Sequence, residues 1–191
     1  MENLEELFRK IGVVPVIAIK DADTAVPLAK ALVKGGLPAA EVTFRTDAAE
    51  ESIRRMAAEV PEIYVCAGTV LDPETAERAV KAGARAIISP GLNLDTVDWC
   101  LSHDVPVIPG VKPLSTLRQL TLLPETFAIE LPEALRSEVR AHADRPEVIR
   151  RIGVEWAVDQ CRRLKAAGVP MIHFYTMGRA ENVRQIIKEV F

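Results

Sequence analysis

Short apolar runs alternate with stretches of helical period over the first hundred residues. The runs are Val13–Ile19, Ala40–Phe44, Ile63–Ala67, Ala86–Ser89 and Val105–Ile108. Their starts lie roughly 20 to 27 residues apart. Near-continuous apolar strands separated by helices predict a parallel sheet covered on both faces. The helical stretches run from Thr24 to Val33, Ala48 to Glu59, Ala76 to Lys81 and up to Leu101. Asp72-Pro73-Glu74 has the order of a capping acid, a first-turn proline and a second acid. Asn93 or Asp95 is the cap expected for the helix that reaches Leu101. Gly36, Gly83 and Gly168 each end a helix before the next strand.

The rhythm breaks after Gly110. The next good strand is Met171–Tyr175, with helices expected at Ser115–Leu122, Pro132–His142 and Pro146–Ala167 and a terminal helix over 177–190. Phe127-Ala128-Ile129 is a candidate short strand crowded by Pro124 and Pro132. The count is about six strands, fewer than the eight of a closed (βα) barrel. The fold class is therefore α/β, a barrel-type parallel sheet shortened to about six strands, expected as one domain over 1–191.

Composition narrows the function classes. Of 191 residues, 49% are hydrophobic and 27% charged, the balance of a globular chain. Lys+Arg 24 against Asp+Glu 27 gives a net charge of −3, with no basic excess for nucleic acid or anionic lipid. No apolar run is long enough for a membrane span. The amphipathic start, with Glu2, Glu5 and Glu6, does not read as a secretory signal, so a cytoplasmic location is expected. Cys66, Cys100 and Cys161 are odd in number and widely spaced, which predicts buried free thiols. With His103, His142 and His173 scattered, neither a metal site nor another cofactor is expected.

Several motifs carry a family resemblance. VVPVIAIKDADTAVPLAKALVKGG, AAEVTFRT, AGTVLDPETAERAVKAGA, ISPGLN and VPVIPGV, over roughly residues 1–111, resemble the 2-keto-3-deoxy-6-phosphogluconate aldolases. Those are class I aldolases on a (βα)₈ barrel. IPGVKPLSTLRQLTLLP, IGVEWAVDQCRRLKAAGVP and HFYTMGRAE, over roughly 107–191, resemble the last strands of methylenetetrahydrofolate reductase, a flavin-carrying barrel. The two overlap at Ile108-Pro109-Gly110-Val111, which places a join near 106–112 and reads as an engineered chimera.

The aldolase resemblance implies that Glu41 is a general acid/base and that Arg45 and Thr69 bind a substrate carboxylate. Pro90, with Gly91, shapes the mouth of the fourth strand. Cys66 stands where the family phrase usually has glycine. The family's Schiff-base lysine lies on strand six, which this sequence does not follow, and the glycine-rich phosphate loops of strands seven and eight are not matched either. Lys112, after Gly110-Val111, is the lysine placed to reach a strand-end mouth, and Lys20 is a weaker second. A lysine in an apolar site forms an imine with a ketone. The reductase resemblance puts Tyr175 and Thr176 beside the flavin pocket. His173, Trp99, Trp156 and the leucines at 114, 117, 120, 122 and 123 read as packing. Three readings stay open: a chimeric scaffold without efficient parental catalysis, a weak aldolase for a small 2-keto acid, and a residual small-anion or flavin binder. An open sheet edge predicts a homo-oligomer.

Overall fold

The computed structural model describes residues 4–127, 129–176 and 180–191. The chain divides into two compact units, the first ending at Ile108 and the second beginning at Pro109.

In the first unit the strands are β1 (Val16–Ile17), β2 (Ala39–Thr43), β3 (Tyr64–Gly68) and β4 (Ala86–Ser89). The helices are α1 (Leu4–Ile11), α2 (Ala25–Lys34), α3 (Ala49–Glu59), α4 (Pro73–Lys81) and α5 (Leu94–Ser102). All pairings are parallel, with Val16, Glu41 and Cys66 in register and Cys66 beside Ala86. The backbone N–H of Ile87 donates to Pro106 O (2.9 Å), so β5 (Val107–Val111) begins beside β4. Strand order is thus sequential.

Alternation divides the sheet into two faces. Ala40, Val42, Val65, Ala67 and Ile87 join Ala29, Ile53, Met56, Ala76 and Ala79 of the helices in one buried core. Glu41, Thr43, Cys66 and Ile88 occupy the alternate positions and are buried as well. Burial on both faces is why these strands read as unbroken apolar runs. Helix starts follow their caps: Asp72 accepts from Thr75 N (2.7 Å) and Asn93 from Thr96 N (3.2 Å). Asn93, not Asp95, is the cap, and its Nδ2 donates to Leu71 O (3.0 Å), tying together the loops after β3 and β4.

In the second unit the end of β5 pairs in parallel with β6 (His173–Phe174), with Gly110 opposite His173 and Val111 opposite Phe174. Its helices are α6 (Gln119–Phe127), α7 (Glu133–Ala141), α8 (Pro146–Ala166) and α9 (Glu181–Val190). Val111, Val154, Ala157, Val158, Cys161 and Ile186 form one core, with Phe174 packed against it. Leu114, Leu120, Leu135, Val139, Ile149 and Ile152 form another.

Five expectations change. The first strand shrinks to two residues, with Val13 60% and Val16 51% exposed at the end of the strand order. The helix expected from Ser115 begins at Gln119, because Gln119 Oε1 accepts from Ser115 N (2.7 Å) and Thr116 N (3.2 Å), holding 115–118 as a turn. Phe127 ends α6 rather than starting a strand, and Ala128 lies outside the described residues. The terminal helix begins at Glu181; residues 177–179 lie outside the described residues. Of the leucine cluster, Leu114, Leu120 and Leu123 are buried, while Leu117 and Leu122 are exposed.

Candidate functional site

In the first unit the sheet face opposite the helices presents Glu41. It is 2% exposed. Burial raises its carboxyl from the ordinary range to about 7, with Arg45 pulling the other way. A carboxyl titrating near neutrality suits proton transfer. Gly68 makes room for it: a Cβ at that position would fall on the Glu41 carboxyl. Cys66, in register with Glu41, is buried, and its thiol is pushed well above the usual range by burial and by the Glu41 charge. A thiol held in that state is a packing group, not a nucleophile.

Arg45 leaves the end of β2, and its Nε donates to Thr69 Oγ1 (3.1 Å). Thr69 is buried and sits in the left-handed region at φ 58°. A threonine rarely adopts that conformation, and such residues cluster at binding loops. Arg45 and Thr69 line a cavity of about 370 Å³ with Thr46, Asp72, Thr75 and Arg78. Glu50 closes its rim, accepting from Arg78 Nε (2.9 Å), and the Arg78 bond holds its carboxyl below the usual range. Glu41 is not on this cavity's lining. Pro90 is buried past β4, where Ser89 Oγ donates to Gly91 O (2.5 Å), and is not on the lining either.

The second unit holds a larger cavity of about 580 Å³, lined by Lys112, Thr116, Gln119, Arg150, Tyr175 and Glu181 among others. The strand register explains the meeting of Lys112 with Tyr175. Tyr175 N donates to Val111 O (3.1 Å), continuing the pairing past β5 and β6. Val111 and Phe174 belong to the helix-packed core, so the alternate positions Gly110, Lys112, His173 and Tyr175 take the other face. The His173 and Tyr175 rings lie 4.5 Å apart on it. Lys112 is half-buried, Nζ donates to Pro113 O (3.2 Å), and burial lowers its pKa. Burial likewise lowers that of His173.

Lys112, Tyr175 and Thr176 are sequence-predicted residues that the fold brings to one cavity. Arg150 and Gln119 were not singled out by the sequence, since Arg150 sits in a charge-rich helix that reads as a solvated face. Lys20 lines neither cavity. Apart from Tyr175 and Pro113, the described residues lining the second cavity are polar or charged. No group of three or more His, Cys, Asp or Glu side chains suited to a metal ion occurs among the described residues. Nor is any described helix long and apolar enough to cross a membrane.

Six parallel strands in sequential order with alternating helices define a shortened (βα) barrel class. The KDPG and KHG aldolase family model matches residues 4–124, and the methylenetetrahydrofolate reductase family model matches residues 94–190. Each match covers at least half of the chain, and the chain belongs to both families, one along its front and the other along its back. It is 43% identical over 111 residues to 2-dehydro-3-deoxy-phosphogluconate aldolase of Treponema pallidum, covering 58% of this chain and 53% of the relative. It is 48% identical over 115 residues to KHG/KDPG aldolase of Escherichia coli K12, covering 60% and 54%. A solved 2-keto-3-deoxy-6-phospho-gluconate aldolase from Zymomonas mobilis shares 40% identity at a TM-score of 0.55, over 58% of this chain and 53% of that one. The chain spans about half the length of the curated relatives it matches.

Proposed function

We propose that this chain is an engineered composite (βα) scaffold, an aldolase front joined near residues 106–112 to a reductase back, in which neither parental reaction runs efficiently. The observation that carries the reading is the coincidence of three boundaries. The compact units divide at Ile108 and Pro109. The two family matches overlap only between residues 94 and 124. The sequence motifs change family at Ile108–Val111.

Glu41, Arg45, Thr69 and Pro90 are the aldolase inheritance in this reading. Glu41 moves a proton, Arg45 and Thr69 hold a small 2-keto acid carboxylate, and Pro90 shapes the rim. Fold does not carry activity by itself, because activity resides in the assembled site. A weak class I aldolase using Glu41, Arg45 and Thr69 with a displaced lysine, Lys112, is the second reading, favoured by a carboxyl near neutrality and an amine lowered by burial. The chain works in the cytoplasm as a homo-oligomer. Exposed Val13, Val16, Leu92, Leu94 and Leu101 on the first unit support self-association.

Pyruvate release from 2-keto-3-deoxy-6-phosphogluconate tests the scaffold reading. The expected rate equals that of free lysine at the same amine concentration. Saturable turnover above that background overturns the scaffold in favour of the aldolase. Sedimentation should give a mass above the 21.0 kDa protomer; a monomer at high concentration removes the oligomer.

A further inference from the structure

We propose that the free edge of β1 is a self-pairing surface, where two copies of this chain join through antiparallel strands related by a two-fold axis. The inference rests on the homo-oligomer of the proposed function and names its interface.

The edge is defined by the backbone groups already taken. Pro15 O accepts from Glu41 N (2.9 Å), Ile17 O from Thr43 Oγ1 (3.2 Å) and Ile19 O from Thr46 Oγ1. Alternate carbonyls along 15–19 therefore point towards β2. In extended backbone the N–H and C=O of one residue point one way, and those of its neighbours point the other. Val16 and Ala18 thus turn theirs to the side where the sheet order ends. Val14 precedes a proline, which restricts it to extended backbone, so its groups turn the same way. Among the described residues no strand lies beyond β1 on that side.

The usual guards of an edge are missing there. Sheets protect their edges with proline, charge or a covering element. Pro15 does not serve, because its absent N–H lies on the β2 side and the open side keeps its donors at Val14, Val16 and Ala18. No charged residue stands between Lys10 and Lys20. Val13, Val16 and Ala18 are exposed. Free backbone groups beside exposed apolar side chains are a template for a further strand.

A second copy fits this template because the edge is its own complement. With Val16 opposite the partner's Val16 on the two-fold, each donates its N–H to the other's carbonyl. The same register sets Val14 opposite the partner's Ala18, and that pair exchanges its bonds likewise. Side chains directly opposite share a sheet face. The valines and alanines of the two copies then form one apolar strip. Lys20 falls opposite the partner's Gly12, whose φ of 78° ends the extended run. No atom lies within 4 Å of a Cβ built at Gly12, so the lysine stem meets open space. The two-fold uses up both β1 edges, and association stops at the dimer.

The test combines sedimentation with site-directed cross-linking of the full chain. Wild type should sediment at twice the 21.0 kDa protomer. Oxidised Val16→Cys should give a disulfide-linked dimer, because facing Cα atoms about 5.5 Å apart suit a disulfide. Leu101→Cys, exposed on α5, should not cross-link. Val16→Pro and Ala18→Pro each delete a donor on the open side and spare those facing β2. Each should weaken the dimer about thirtyfold, the loss of one bond from each copy, with the far-ultraviolet spectrum unchanged. The cross-link reads the interface without any proline. A monomeric wild type at high concentration overturns this interface and the homo-oligomer together. A trimer, a dimer indifferent to both proline variants, or cross-linking through Leu101→Cys in preference to Val16→Cys overturns the β1 edge and leaves the homo-oligomer standing.

Discussion

The two units carry opposite kinds of site. In the first, the polar groups are closed on one another: Arg45 donates to Thr69, Arg78 to Glu50, and Glu41 fills the space left by Gly68. In the second, Lys112 and Arg150 border a cavity, and among the described residues neither pairs with an acid. The first unit keeps an acid with a tuned titration, and the second keeps an amine. On the proposed scaffold reading, a shared barrel class does not by itself preserve a reaction, because activity resides in the assembled site. What survives in each half is the local geometry that strand register and close helix packing impose.

Packing variants should break this comparison most strongly. Gly153→Ala puts a methyl group into the Leu114 backbone, which cannot yield as a side-chain tip would. It should cost about 3 kcal/mol or more. The two tryptophans allow the loss to be located, because Trp99 packs in the first unit's core and Trp156 in the second's. In a Trp156→Phe background the Trp99 transition should move less than the Trp156 transition of a Trp99→Phe background. Equal movement of both would erase the distinction.

The next effect belongs to Glu41. Its folded pKa of about 7 lies above the ordinary carboxyl value of 4.5. Between those values the folded state holds more protons than the unfolded state. Stability therefore falls as pH rises through that window, by about 3 kcal/mol across it. Denaturant titrations of Glu41→Gln should lack this slope. An unchanged slope would show that the carboxyl ionises normally in the fold.

Smaller again is the cap of α4. Asp72→Ala removes the acceptor for Thr75 N and should cost about 1 kcal/mol, visible as a modest shift of the first unit's midpoint. A null result would mean that Pro73 and the buried Ala76 and Ala79 define the helix start unaided. At the low end are the thiols. Cys66, Cys100 and Cys161 are free and buried, with the last two raised by burial to about 11. None should be alkylated at neutral pH until the chain unfolds; rapid labelling of Cys161 alone would mark the second unit as loosely packed.

Much of this was legible from residue patterns. The strands at β2, β3 and β4 fall within a residue of the apolar runs, because those strands are buried on both faces and each residue type reports burial directly. The ends were less legible. Val13 is as apolar as Val65, and nothing local reveals that one is exposed and the other buried. The turn before α6 depends on the Gln119 carboxamide reaching backward, a side-chain contact with no periodic signature. The acid, the arginine and the threonine of the first site were readable from motif. Arg150 was not, because its position depends on the close approach at Gly153, and a glycine within a long helix is the one local hint of it.

Trapping by the Glu41→Gln protein tests most directly whether acid and amine are separate. Wild type and Glu41→Gln are incubated with pyruvate and cyanoborohydride at pH 7, and any adduct is quantified by intact mass. The account predicts the same result for both proteins, since the Lys112 cavity draws its lining from the second unit only. An adduct on Lys112 that forms in wild type and is lost in Glu41→Gln, with its fold intact, would mean that the two groups act as one catalytic pair, and would contradict the account.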